Sequence, residues 1–62
     1  MDSQRAELTP LSSALDELTR RITTAAESYT AAHDDQVASE LFEIERSLHQ
    51  AARRLDRLVR GH

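Results

Sequence analysis

The sequence predicts an all-α protein, an antiparallel helical hairpin, from its composition and from two long runs of regularly spaced apolar residues. Of its 62 residues only one is Gly, one is Pro and 3% are aromatic, whereas strands and their turns are rich in these types. There is no Cys, so the fold has neither disulfides nor thiolate zinc sites. A chain this short forms at most one domain, which spans 1–62, near the lower size limit for independent folding.

The first apolar run recurs at alternating spacings of three and four residues, the heptad pattern of a helix that packs against another helix. Its members are Leu8, Leu11, Leu15, Leu18, Ile22, Ala25, Tyr29 and Ala32. Thr9 followed by Pro10 suits an N-cap and the first helical position. Helix 1 is therefore predicted over about 9–32, and the alternative is an earlier start capped by Asp2 or Ser3.

The second apolar run has the same spacing and lies in the second half of the chain. Its members are Val37, Leu41, Ile44, Leu48, Ala51, Leu55 and Leu58. Gly61 is a typical residue just beyond a helix C-terminus. Helix 2 is therefore predicted over about 35–60.

The two runs are out of phase with each other. Five residues separate Ala32 from Val37, a rotation of about 140° that turns the runs nearly opposite ways on one straight helix. Asp34 or Asp35 can cap a new helix, so a turn is predicted at about 33–35. The alternative is a single long helix in an antiparallel coiled coil, because no Gly or Pro interrupts the gap and His33 can extend an eleven-residue pattern.

Helix 2 is electrically polarised. Residues 34–45 contain acidic groups and no basic ones: Asp34, Asp35, Glu40, Glu43 and Glu45. Residues 46–60 contain five Arg and only one acidic residue, Asp56. This order complements the helix dipole. It also favours antiparallel contacts, both between two copies of helix 2 and within the hairpin, where Asp16 and Glu17 are expected near Arg53 and Arg54.

Two helices that touch along one line cannot bury this many apolar side chains, so a partner is expected. The predicted assembly is a homodimer that forms a four-helix bundle. A second strip on helix 2 is the candidate interface: Ala38, Phe42, His49, Ala52 and Val59. The alternative use of this strip is a groove or ridge for a larger protein partner.

No residue pattern indicates catalysis, so the protein is not expected to be an enzyme. His49 follows Glu45 by one helical turn, but helical di-iron sites place Glu three residues before His, where this chain has Arg46. A single glycine excludes a glycine-rich phosphate loop. No metal or cofactor is therefore expected.

Four arginines form the one basic patch near the C-terminus: Arg53, Arg54, Arg57 and Arg60. This candidate basic face is the basis of an alternative function, a small nucleic-acid-associated regulator. The patch has no interleaved aromatic residues, and the net charge of the chain is −3. Nucleic acid is therefore an unfavoured partner.

The sequence predicts a cytoplasmic protein with no membrane segment. No apolar stretch approaches the ~18–20 residues of a membrane span, and residues 1–7 lack the basic-then-apolar pattern of a secretion signal. The expected function is a non-enzymatic protein–protein interaction or oligomerisation module, such as a small adaptor, scaffold or protein inhibitor.

Overall fold

The computed structural model describes residues 3–61, which form two antiparallel helices joined by a short turn. Helix α1 spans Ser3–Ala31 and helix α2 spans Asp35–Val59. The helices pack side by side into a rod of 50 × 16 × 10 Å. The predicted helical hairpin is therefore confirmed, and the single continuous helix is wrong.

Helix α1 begins six residues earlier than the main prediction. Thr9 is not an N-cap, and Pro10 lies inside the helix. Residues 4–7 are Gln, Arg, Ala and Glu, all good helix formers, and they extend the helix ahead of the proline. Because Pro10 has no N–H, the carbonyl of Ala6 lacks its usual helical donor. Ser3 is the first helical residue, and Asp2, the other residue considered as an early cap, lies outside the described residues.

The turn closes with a left-handed residue at the end of α1. His33 has a φ of 63°. Its N–H donates to the carbonyl of Thr30 at 3.0 Å, and the Asp34 N–H donates to the carbonyl of Tyr29 at 2.9 Å. These two bonds form a Schellman motif, which satisfies the last carbonyls of a helix and is usually built on glycine.

Asp34 then caps α2. Its carboxylate accepts a hydrogen bond from the Val37 N–H at 3.3 Å. Its carbonyl accepts one from the Ala38 N–H at 3.1 Å, which starts the helical ladder of α2. The chain therefore reverses direction within residues 32–34, where the phase break between the two apolar runs predicts a turn.

The contact between the helices, here called the hairpin seam, follows alternating spacings of four and three residues. Buried and half-buried residues define it on both helices. They are Leu8, Ser12, Leu15, Thr19, Ile22 and Ala26 on α1, and Ala38, Leu41, Glu45, Leu48, Ala52, Leu55 and Val59 on α2. Thr23, Ala25 and Asp56 are also half-buried and lie at the edges of the seam. The most buried residues are small: Ala26 is 0% exposed and Ala38 is 4% exposed. No large side chain in the described part of the chain is fully buried, so the core of one hairpin is thin.

Replacing His33 with glycine is expected to stabilise the hairpin. A left-handed conformation strains a residue that has a Cβ atom, and glycine removes the strain at a smaller entropic cost, for a net gain of ~0.5–1 kcal/mol. Urea unfolding followed by circular dichroism measures the change. His33→Ala is the matched control, since it removes the imidazole and keeps Cβ. An equal gain from His33→Ala would show that the side chain, and not the backbone, is the source of the strain.

Candidate interaction face

The structure divides each predicted apolar run into two rows. Alternate members of each run, such as Leu15 and Leu48, lie in the hairpin seam. The remaining large members are exposed beside the seam: Leu11 and Leu18 on α1, and Val37, Ile44 and Leu58 on α2. Tyr29 belongs to the row of Leu15 and Ile22 but is also exposed. Leu11 is 56% exposed and Leu58 is 54% exposed. About half of the predicted core therefore faces outwards.

The exposed rows of the two helices lie on the same side of the hairpin. Asp16 and His49 line one shared groove, which marks the opposite side. Leu11 precedes Asp16 by five residues and Ile44 precedes His49 by five, a rotation of about 140° on each helix. Both rows are therefore turned away from the groove and form one apolar face. The apolar face consists of Leu11, Leu18, Val37, Ile44, Ala51 and Leu58, which are exposed, and of Ala25, which is half-buried.

A polar cluster lies on the groove side and ties the two helices together. The Thr23 hydroxyl has two acceptors for its one proton: a carboxylate oxygen of Glu45 across the seam, at 2.9 Å, and the carbonyl of Thr19 on its own helix, at 3.1 Å. The carboxylate is the nearer of the two. The same carboxylate oxygen lies 3.4 Å from Nε2 of His49, and the Glu45 side chain is only 24% exposed. A hairpin pairs positions that are about equally distant from its turn, and Thr23 lies ten residues before His33 and Glu45 eleven residues after Asp34.

The structure separates the five residues predicted as a second strip on α2. Ala38 is buried, and Ala52 and Val59 are half-buried; all three occupy seam positions. Phe42 and His49 are exposed, and His49 lines the groove opposite the apolar face. These five residues therefore do not form one exposed strip, and their role in an interface stays a prediction.

The four arginines of the candidate basic face are all exposed. Nε of Arg60 lies 3.0 Å from a carboxylate oxygen of Asp56, one turn earlier on the same helix. The other Arg–carboxylate pairs of the described residues are also local, Arg20 with Glu17 and Arg46 with Glu43. Asp16 and Arg53 line the same groove as expected, but among the side chains described, those of residues 6–61, no ion pair joins α1 to α2.

Within the described residues the structure has neither a cluster of metal ligands nor a helix that could span a membrane. No group of three or more His, Cys, Asp or Glu side chains in this part of the chain is placed to hold a metal ion. Glu45 and His49 are adjacent, but they supply only two ligands. Neither described helix contains a segment long and apolar enough to cross a bilayer.

Sequence reasoning missed the polar and small residues of the seam. Ser12, Thr19 and Glu45 occupy heptad positions that usually hold large apolar side chains. Thr19 is compatible with burial because its hydroxyl donates to the carbonyl of Leu15 at 2.8 Å. The seven-residue spacing of Ser12, Thr19 and Ala26 is the signal that could have identified this row.

Comparison with known proteins does not place this chain in a family. No protein-family model matches it, and neither the curated proteins nor the solved structures searched contain a significant match.

Removing the Thr23 hydroxyl is expected to destabilise the hairpin. Thr23→Val keeps the shape of the side chain but leaves the half-buried Glu45 carboxylate without its donor from α1, at a cost of ~1 kcal/mol. Thr24→Val is the matched control, because the exposed Thr24 hydroxyl donates only within its own helix, to the carbonyl of Arg20. Equal free energies of unfolding for the two variants would contradict a stabilising role for the Thr23–Glu45 bond.

Proposed function

We propose that this protein is a non-enzymatic interaction module that binds a protein surface through its apolar face. The observation that carries the proposal is the alignment of the exposed large residues of both helices, among them Leu18 and Ile44, into one surface. Contiguous apolar surfaces of this kind mark interaction sites on soluble proteins, whereas scattered apolar residues do not. An adaptor, a scaffold component and a protein inhibitor all fit this mode of action.

The shape of the hairpin supports the proposal. Its radius of gyration is 14.4 Å, whereas a compact domain of this length has ~10.6 Å. Its accessible surface is 4940 Å², whereas a compact monomer of its mass exposes ~4,000 Å². The excess of ~900 Å² is close to the ~800 Å² that each partner buries in a standard protein interface.

A catalytic function has less support from the same geometry. The grooves beside Asp16 and His49 are open depressions between two helices. Enzymes gain most of their rate from groups fixed in water-excluded sites, and a two-helix rod has little volume for one. The proposed activity accordingly uses no cofactor.

Photocrosslinking from the apolar face tests the proposal. A photoreactive phenylalanine analogue at position 18 is expected to crosslink to protein in the native host, because Leu18 lies in the middle of the face. The same analogue at position 42 is the matched control, since Phe42 is similarly exposed and lies in the row of His49, on the groove side. No crosslinked product at position 18, or equal yields at both positions, would contradict the proposal.

The exposed arginines of α2 favour one alternative, a regulator that binds nucleic acid through phosphate contacts. Arg53, Arg57 and Arg60 lie on one side of the helix at spacings of four and three residues. The pairing of Arg60 with Asp56 lowers the charge available to phosphates. The acidic residues in the first half of α2 reduce it further.

An electrophoretic mobility shift at low salt separates the two functions. We expect no shift of duplex DNA or RNA at ~50 mM salt, where phosphate contacts are strongest. A salt-sensitive shift that is lost in Arg53→Glu/Arg57→Glu would instead establish the nucleic-acid alternative. The double variant Arg20→Glu/Arg21→Glu, with the same change in charge on α1, would have to keep that shift.

A further inference from the structure

We infer that the occupant of the apolar face is a second copy of this chain, and that the two hairpins form an antiparallel four-helix bundle. This inference rests on the proposed function and names its partner. It follows from the direction of the apolar rows, the residues that border the face and the charge pattern of α2.

The apolar rows point to an axis outside the hairpin. A row consists of residues seven positions apart along a helix. In a heptad pattern, two rows that are three or four positions apart are separated by ~51° around the helix, in opposite directions. The seam on α1 is centred between the Leu15 row and the Thr19 row, whereas the apolar run is centred between the Leu15 row and the Leu18 row. The centre of the run therefore points ~50° away from the line to α2.

Helix α2 repeats this geometry on the same side of the hairpin. Its seam is centred between the Ala38 row and the Leu41 row, and its apolar run between the Leu41 row and the Ile44 row. In a square array of four helices the central axis lies ~45° from the line between neighbours. Both helices are therefore turned towards the axis of a bundle of four helices, of which the hairpin supplies two.

Small residues border the apolar face where the helices of a second copy approach. Ala14, Ser28 and Ser47 each lie three residues after a member of the face, namely Leu11, Ala25 and Ile44. On the other side of each helix, small seam residues such as Ala26 and Ala38 let α1 and α2 approach closely. Small residues therefore lie on both sides of the large apolar residues of each helix, as a helix with two neighbours requires. On the outer side they alternate with charged residues, Arg21 on α1 and Glu40 and Arg54 on α2.

The charges on α2 are self-complementary about Ser47. Glu40 and Arg54 lie in the same row as Ser47, seven residues before and after it, and all three are exposed. A two-fold axis that passes near Ser47 pairs Glu40 of each copy with Arg54 of the other, with the two α2 helices antiparallel. A different protein would need its own acidic and basic residues at the matching positions. A second copy of this chain has them already, because the two-fold symmetry brings Glu40 and Arg54 together twice.

Sedimentation equilibrium at micromolar concentrations tests the assembly. The expected species has twice the 7.0 kDa mass of one chain. Ile44→Glu places an unpaired charge in the bundle core and is expected to weaken the dimer by roughly 100-fold or more. Phe42→Glu, the same kind of change on the groove side, is expected to leave the dissociation constant within a few-fold. A monomer at ~100 µM, or a dimer weakened by Phe42→Glu and not by Ile44→Glu, would overturn the inference.

Charge reversal tests the arrangement with exposed residues whose substitution leaves the hairpin folded. Glu40→Arg and Arg54→Glu are each expected to weaken the dimer by roughly tenfold, since each replaces two attractive pairs with repulsive ones. The double variant is expected to restore the dimer. Glu43→Arg, the same charge change at a residue paired within its own helix with Arg46, is the control. If neither single reversal changes the dissociation constant of the dimer, or if the double variant does not restore it, the antiparallel placement of α2 is overturned.

The two proposals fail in different ways. A monomeric chain whose position-18 probe crosslinks to a different protein overturns the second-copy inference and leaves the interaction function in place. A monomeric chain with no crosslink at position 18 overturns both.

Discussion

The structure depends on a mismatch between where the two helices meet and where their large apolar residues point. The seam is filled on one side by Leu and Ile side chains and on the other by small or polar residues such as Thr19 and Ala38. The hairpin is therefore held by close approach along a narrow line, and the remaining large residues stay in water. A thin core and an exposed apolar face are two consequences of the same helix rotation, because turning either helix to bury its exposed row would expose its seam row.

Most of the fold could be predicted from the sequence because its determinants are local. The phase break between Ala32 and Val37 gives the position of the turn, and Asp34 caps α2 as its residue type predicts. The predicted start of α1, at about residue 9, was wrong because Thr9 followed by Pro10 resembles the N-terminus of a helix. In the structure the helix begins before Pro10, since residues 4–7 are good helix formers, and it continues through the proline at the cost of one backbone hydrogen bond.

The apolar face could be predicted only in part. Spacing defines an apolar arc on each helix, but it does not decide which row of that arc meets the other helix. That choice depends on contacts distant in sequence, such as the bond between Thr23 and Glu45, and on the closeness that Ala26 allows. For the same reason the predicted strip on α2 combined seam residues such as Ala38 with residues of the groove side such as Phe42.

The left-handed turn at His33 also protects the chain against domain swapping. If that turn straightened into helix, two chains could exchange their α2 segments and rebuild the seam between molecules, a common route to swapped dimers. The phase break makes the straight form unfavourable, because a continuous helix would carry its two apolar runs on nearly opposite sides. Two such continuous helices packed side by side could then bury only one of the two apolar runs of each chain, and the other run would stay exposed. The closed hairpin carries the strain of a left-handed His33 but brings members of both apolar runs, such as Leu15 and Leu48, into one seam.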